Sequence, residues 1–326
     1  MRSAVTGESL DSLDSYLNDS RSELKWPSVF VLPAWLRVWW QVFGKGSEMF
    51  LRTVRQGDSV IGIAPLRVAD GTALFIGDTD VCDYSDFVVV PGREVDFFGA
   101  LLDDLKENGI GKLDLEHVRP EAAVLTHLVP LAETRGGEVV RTQGDITVEM
   151  DLPPDFDAYL ATLSTKQRHE VRRKMRRLAE SGEIRYRFVE DNSAVPETLD
   201  GFFRMFTESR EDKSAFLTER MESFFRRLGA AMAETGRLRL GLLELDTRPV
   251  AEVMCFDYGD RMYLYNSGYD PQYNFLSVGL LSKVYAIRDS IDRGKTKFDF
   301  LKGEETYKYH LGGREVPLYR CQITFK

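Results

Sequence analysis

The chain has 326 residues, enough for about two domains, and its 43% hydrophobic and 29% charged content is that of a folded protein, which excludes a disordered one. A net charge of −9 argues against general affinity for DNA or anionic membrane, so any anion site must be a local basic patch. The three cysteines, Cys82, Cys255 and Cys321, are far apart and odd in number, which fits neither a zinc pattern nor a disulfide framework and suits a reducing, cytoplasmic setting.

Residues 1–18 are polar and acidic, without the basic-then-apolar order of a secretory leader, and no apolar run is long enough to suggest a transmembrane segment. Residues 9–20 read as a short helix. Pro33 opens a second, tryptophan-rich helix with Trp35, Trp39 and Trp40, expected in the core, with peripheral membrane contact as the alternative. Strands at 50–54 and 60–66 flank a hairpin turn at Gln56, Gly57 and Asp58. Further strands are expected at 74–76 and 87–90, separated by an acidic loop that carries Asp78, Asp80, Asp83, Tyr84 and Asp86. A helix over 95–108, a strand over 113–116 and a helix over 121–135 complete the first half, residues 1–143.

The second half, residues 144–326, starts with a strand at 146–152. A helix over 156–163 and a strongly basic helix over 165–181 follow, then a strand at 184–189. Helices over 196–209 and 217–234 lead into three strands at 238–245, 250–258 and 261–269. A long helix over 277–293, a strand at 298–301, a polar loop over 302–310 and a last strand over 316–324 end the chain. The expected class is α+β: two similar units, each a mixed, mostly antiparallel sheet flanked by helices.

Four constellations carry chemistry. The first is the start of the helix at Ser277, Val278 and Gly279, where unpaired amides and the helix dipole suit a diphosphate. The second is the basic helix, with Lys166, Arg168, Arg172, Arg173, Lys174, Arg176 and Arg177 against the single acid Glu170. The third is the loop with Glu305, Tyr307 and Lys308, which offers a carboxylate base and a phenol acid for acyl transfer to an amine. The fourth is a set of carboxylates: Asp83 and Asp86 in the acidic loop, and Asp299 and Glu252 inside apolar strands, where a charge needs a partner. Glu252 is a second candidate base. His117, His127, His169 and His310 show no metal-ligand spacing, so no metal is expected.

The order of elements, with residues 157–168, the run from Ser267 to Tyr273 into Ser277-Val278-Gly279, and residues 298–308, resembles the CelD-like branch of GNAT acyltransferases, relatives of the FemABX peptidyltransferases. The resemblance implies tandem GNAT-like domains, the second better formed. It implies an acyl-CoA or acyl carrier protein thioester as donor and an amine or hydroxyl of an envelope, polysaccharide or lipid precursor as acceptor. The glycine-rich phosphate loop of ordinary GNAT enzymes is absent. On this reading Ser277, Val278, Gly279, Lys166, Arg168 and Arg172 meet the donor. Tyr269, Asp83, Asp86, Asp299 and Lys308 bind substrate, the acceptor lying between the halves. Glu305, Tyr307 and Glu252 serve proton transfer. The alternatives are a FemABX-type transferase using aminoacyl-tRNA and a non-catalytic module that binds a glycan or lipid carrier.

Overall fold

The computed structural model describes residues 3–77, 80–209 and 211–325. Contacts divide the chain into two compact units, residues 1–146 with 316–326 and residues 147–315.

The first unit contains β1 (Ser3–Gly7), α1 (Leu13–Asn18), α2 (Pro33–Phe43), β2 (Glu48–Gln56), β3 (Ser59–Ala69), β4 (Thr72–Phe75), β5 (Val88–Val89), α3 (Glu94–Glu107), β6 (Lys112–Val118) and α4 (Val129–Thr134). β1 pairs antiparallel with β2 and was not expected, because its five residues offer one large apolar side chain, Val5, and no periodic run. The tryptophan-rich α2 is a core helix: Trp35 is fully buried and its indole N–H donates to Cys82 Sγ at 3.1 Å.

The second unit opens with the end of β7 (Glu138–Asp151) and continues through α5 (Phe156–Thr162), α6 (Thr165–Ala179), β8 (Ile184–Phe188), α7 (Val195–Ser209), α8 (Glu211–Phe216) and α9 (Glu219–Glu234). It is completed by β9 (Leu238–Leu245), β10 (Arg248–Tyr258), β11 (Arg261–Tyr269), α10 (Val278–Asp292), β12 (Lys297–Lys302) and α11 (Thr306–His310). α6 starts at a capping box in which Ser164 and Gln167 satisfy one another's backbone, the S-x-x-Q signature visible in the sequence. The sheet order is β7-β12-β11-β10-β9-β8, antiparallel except for the β11–β12 pair. α10 is the crossover that a parallel pair requires.

The last strand, β13 (Arg314–Thr324), pairs with β6 and groups with the first unit, not with the second as expected. The reason is packing: Cys321 and Ile323 are fully buried in the first unit's core with Leu113 and Leu115 of β6.

Within the second unit β10 is buried from Val250 to Phe256, as for a central strand covered on both faces. Alternation sorts its side chains. Glu252 points at Gly201 of α7, while Val253 lies beside Tyr186, whose ring stacks on Tyr285 of α10 at 5.7 Å. α7 therefore covers one face and α10 the other. α6 packs on α10, so α10 is buried around most of its circumference, with Leu281, Val284, Ile287 and Ile291 in its core.

Candidate active site

The β11–β12 pair is registered over three residues, Arg261 with Lys297, Met262 with Phe298 and Tyr263 with Asp299. Beyond Tyr263 the two parallel strands share no ladder. β11 also carries one extra residue against β10: Met254 faces Asn266 and Cys255 faces Leu264, which leaves Tyr265 bulged. A bulge turns a strand away from its neighbour. The result is a seam between the second half of β11 and the end of β12.

The start of α10 lies just after β11 in sequence. Ser277 sits at φ 61°, a left-handed conformation uncommon for a residue with a side chain. Its carbonyl accepts from the amides of Leu280 and Leu281, both at 3.0 Å, leaving those of Val278 and Gly279 without a backbone acceptor among the described residues. The Ser277 hydroxyl makes no capping bond to the helix; it accepts from Arg177 of α6 at 3.3 Å. Arg177 also has a buried Nε with no partner. Two unsatisfied amides, a helix dipole and a guanidinium thus meet at one point, an arrangement suited to an anion. Arg177 was seen in the sequence as one of seven cations and was not singled out. Gly279 admits the ring of Tyr269, which would lie 2.7 Å from an added Cβ.

The other expected donor contacts lie elsewhere on α6. Lys166 is exposed and Arg168 half-buried. Arg172 is exposed and lies 3.7 Å from Asp157. Arg173 and Lys174 pair with Glu170.

The polar loop after β12 is partly helical, because α11 occupies Thr306–His310. Lys308 is 1% exposed, and its ammonium donates to the carbonyls of Leu301 at 2.9 Å, Lys302 at 2.6 Å and Gly303 at 3.1 Å, with Glu305 Oε2 at 2.9 Å. Those acceptors exhaust its donors, so Lys308 holds the end of β12 and cannot also bind a phosphate or substrate as expected. Glu305 is the residue preceding α11 and is engaged with Lys308. The half-buried Tyr307 packs on Phe300, its ring centroid 6.3 Å from that of Phe300.

Under Tyr307 lies a group the sequence analysis missed. Lys283 of α10 is 7% exposed, its Nζ 4.9 Å from the Tyr307 ring centroid and donating to the Gly279 carbonyl at 2.7 Å. Burial, with the neighbouring charge of Lys213, pushes its pKa down to about 7. The signal is in the sequence: Lys283 stands four residues before Ile287, so the two share one face of the helix. On the β11 side, Lys213 of α8 donates to the Ser267 carbonyl at 2.5 Å.

The two strand carboxylates have different fates. Asp299 is fully buried and accepts from Arg261 at 2.8 Å, the Leu301 amide at 2.9 Å and Thr147 at 3.3 Å. It braces the bulge between Asp299 and Leu301, where Leu301 takes a φ of 63°, and is sealed from any acceptor, contrary to expectation. Glu252 is 3% exposed and its Oε2 has no partner. Burial pushes its pKa up to about 8 against the opposing pull of Arg204 and Arg187. It faces α7, the opposite side of the sheet from Lys283.

Of the acidic loop, Asp78 lies outside the described residues and Asp83 is half-buried in the first unit. Asp86 does not reach a substrate as expected. It is 8% exposed and accepts from the amides of Ala123 at 2.7 Å and Val124 at 3.3 Å, and burial outweighs these bonds and pushes its pKa up to about 7. Among the described residues no group of three or more His, Cys, Asp or Glu could hold a metal, and no helix is long and apolar enough to cross a membrane.

Residues 165–309 match the family described as Acetyltransferase (GNAT) domain. No curated protein sequence matches the chain significantly. In fold the chain is similar to FemX, with a TM-score of 0.65, 12% identity and coverage of 98% of this chain and 96% of that one. It is similar to the C-terminal domain of a protein assigned as a lysylphosphatidylglycerol synthetase from Agrobacterium fabrum (0.56, 10%, 96% and 90%). It is also similar to a tandem GNAT protein from the clavulanic acid biosynthesis pathway (0.50, 14%, 98% and 98%). At these identities the likeness is one of fold.

Proposed function

From a GNAT-superfamily, FemABX-related acyltransferase as the premise, we propose that this chain moves an acyl group from a thioester, carried by CoA or a carrier protein, to an amine or hydroxyl of an envelope, polysaccharide or lipid precursor. The observation that carries the reading is the seam. A parallel strand pair that parts after three residues leaves the β11 edge without ladder partners on β12, an edge along which an extended acyl carrier arm can lie. The carrier's phosphates meet the amides of Val278 and Gly279 with Arg177, and the arm runs along Leu264–Tyr269 towards Tyr307. Edge amides there stabilise the oxyanion that forms when the acceptor attacks. Transfer is direct. On this reading Tyr307 protonates the leaving thiolate, and Glu305 or Glu252 is the carboxylate candidate for the base. A thioester donor places the reaction in the cytoplasm.

A second reading uses aminoacyl-tRNA. The likeness in fold to FemX favours it, as does the row of Lys166, Arg168 and Arg176, which have no carboxylate within 4.0 Å among the described residues. The two separate by donor. Acetyl-CoA and longer acyl-CoAs should raise the melting temperature and release free CoA in the presence of an acceptor extract, while aminoacyl-tRNA should do neither. Turnover with aminoacyl-tRNA and none with any CoA or carrier-protein thioester would reverse the assignment.

A further inference from the structure

We propose that Lys283 is the proton-transfer group of this site: its amine lies under Tyr307, hydrogen-bonded to Gly279, on the helix that packs against β10 and β11. The inference rests on the acyltransferase reading above and names the residue that reading left open.

A long helical side chain points back towards the helix N-terminus, so a lysine at position 283 delivers its amine to the first turn of α10. Tyr307, the group assigned above to the leaving thiolate, lies over that amine, its ring centroid 4.9 Å away, which sets Lys283 beside the reacting end of the donor. The charged and titratable groups that face the amine are Lys213 from α8, Cys255 from β10, and Glu305 and Tyr307 at α11. Cys255 is fully buried and its thiol is pushed well up, so it stays neutral. Lys213 repels a proton on Lys283. Glu305 attracts one, but its carboxylate is occupied by Lys308. Lys283 has no carboxylate within 4.0 Å among the described residues, and its single hydrogen bond leaves nitrogen capacity unused. A methionine or leucine would fill this place on the apolar face without the cost of burying an amine.

The chemistry asks for such a group. When an acceptor R–NH2 or R–OH attacks the thioester carbonyl, a C–N or C–O bond forms, the C–S bond breaks, one proton leaves the acceptor and one joins the thiolate. A neutral lysine amine can take the first proton, and the resulting ammonium can supply the second, directly or through Tyr307, which returns Lys283 to its starting state. Acylation of Lys283 itself would give a stable amide that ends turnover, so proton transfer is the role consistent with repeated catalysis. A carboxylate already paired with an ammonium, as Glu305 is, is the weaker base.

The test compares wild type with Lys283→Arg, which keeps the charge and cannot release the proton, and Lys283→Met, which keeps the packing. Both should lower kcat by about 100-fold or more with little change in KM, and remove an acid limb near pH 7 from the pH–rate profile. Small primary amines should partly restore Lys283→Ala. Nuclear magnetic resonance titration of the Lys283 side chain, identified by its loss in Lys283→Arg, should show a midpoint near 7. Wild-type-like turnover and pH profile in Lys283→Met, or an amine that stays protonated above about pH 9, overturns the assignment. Failure of the wild type to transfer from any thioester or aminoacyl ester overturns the acyltransferase reading and this role with it. That outcome is distinguishable, because the titration needs no substrate.

Discussion

Glu252 and Lys283 are buried titratable groups on opposite faces of one sheet, and their effects on stability run in opposite directions with pH. For Glu252 the pKa rises from 4.5 to about 8 on folding, so the folded state holds the proton more tightly across that window. Its contribution is fully present below pH 4.5 and is lost as pH rises through 8. Glu252→Gln removes the ionisation and keeps the shape beside Gly201. The variant should match wild type in urea denaturation at pH 4.5 and exceed it by on the order of a few kcal/mol at pH 8.5. Equal stability at both pH values would mean that the carboxyl is paired in solution and that its vacant oxygen is not a feature of the folded protein. Lys283 has the reverse sign: its pKa falls from 10.5 to about 7, so stability increases with pH between those values and is flat below. The sequence showed Glu252 and Asp299 as the same anomaly, a carboxylate in an apolar strand. It could not tell them apart, because the difference lies in partners 38 and 152 residues away, Arg261 and Thr147 for Asp299 and none for Glu252 Oε2.

At the scale of elements, the strand–helix–strand unit β11–α10–β12 depends on two close approaches that glycine permits. Gly268 of β11 faces α7 so closely that an added Cβ would lie 2.4 Å from the Phe206 amide nitrogen, a backbone atom that cannot swing aside. At Gly279 the obstructing atoms belong to the Tyr269 ring, which can rotate away. Gly268→Ala should therefore cost about 3 kcal/mol or more in stability, since α7 must lift from the sheet. Gly279→Ala should cost under about 1.5 kcal/mol but raise the donor KM, because Tyr269 must leave the seam. Chemical denaturation and donor titration of both variants check this, and equal stability losses would refute the packing argument. The elements themselves were plain in the sequence. Long amphipathic helices announce themselves by period, as α7 and α9 did, and strands by apolar runs between turn residues, as β9–β11 did. The seam was not, because a missing ladder depends on pairing partners and on the Tyr265 bulge, neither of which has a local signature.

At the scale of the whole chain, fold class and the order of elements were legible because most elements carry their own period and are bounded by turn residues such as Gly57, Gly109 and Gly294. The grouping of the final strand was not, since β13 is an unremarkable alternating strand whose membership is decided by which core receives Cys321 and Ile323. Charge is the whole-chain property that bears on function. An overall charge of −9 repels polyanions at long range, while α6 presents Lys166, Arg168, Arg176 and Arg177 locally. If those four cations bind a nucleic acid donor, affinity should fall steeply with salt, with a slope of roughly −3 in logarithmic terms, or roughly 50-fold between 50 and 200 mM. If the donor is a CoA thioester held by Arg177 and the start of α10, one guanidinium and two amides carry the phosphates, and binding should weaken only about two- to fivefold over the same range. The smaller dependence is expected. Neutralising Arg177 should abolish most of it, whereas neutralising Lys166, Arg168 and Arg176 together should leave it nearly intact. The opposite assignment of the salt response would place the donor along the basic helix and identify it as a nucleic acid.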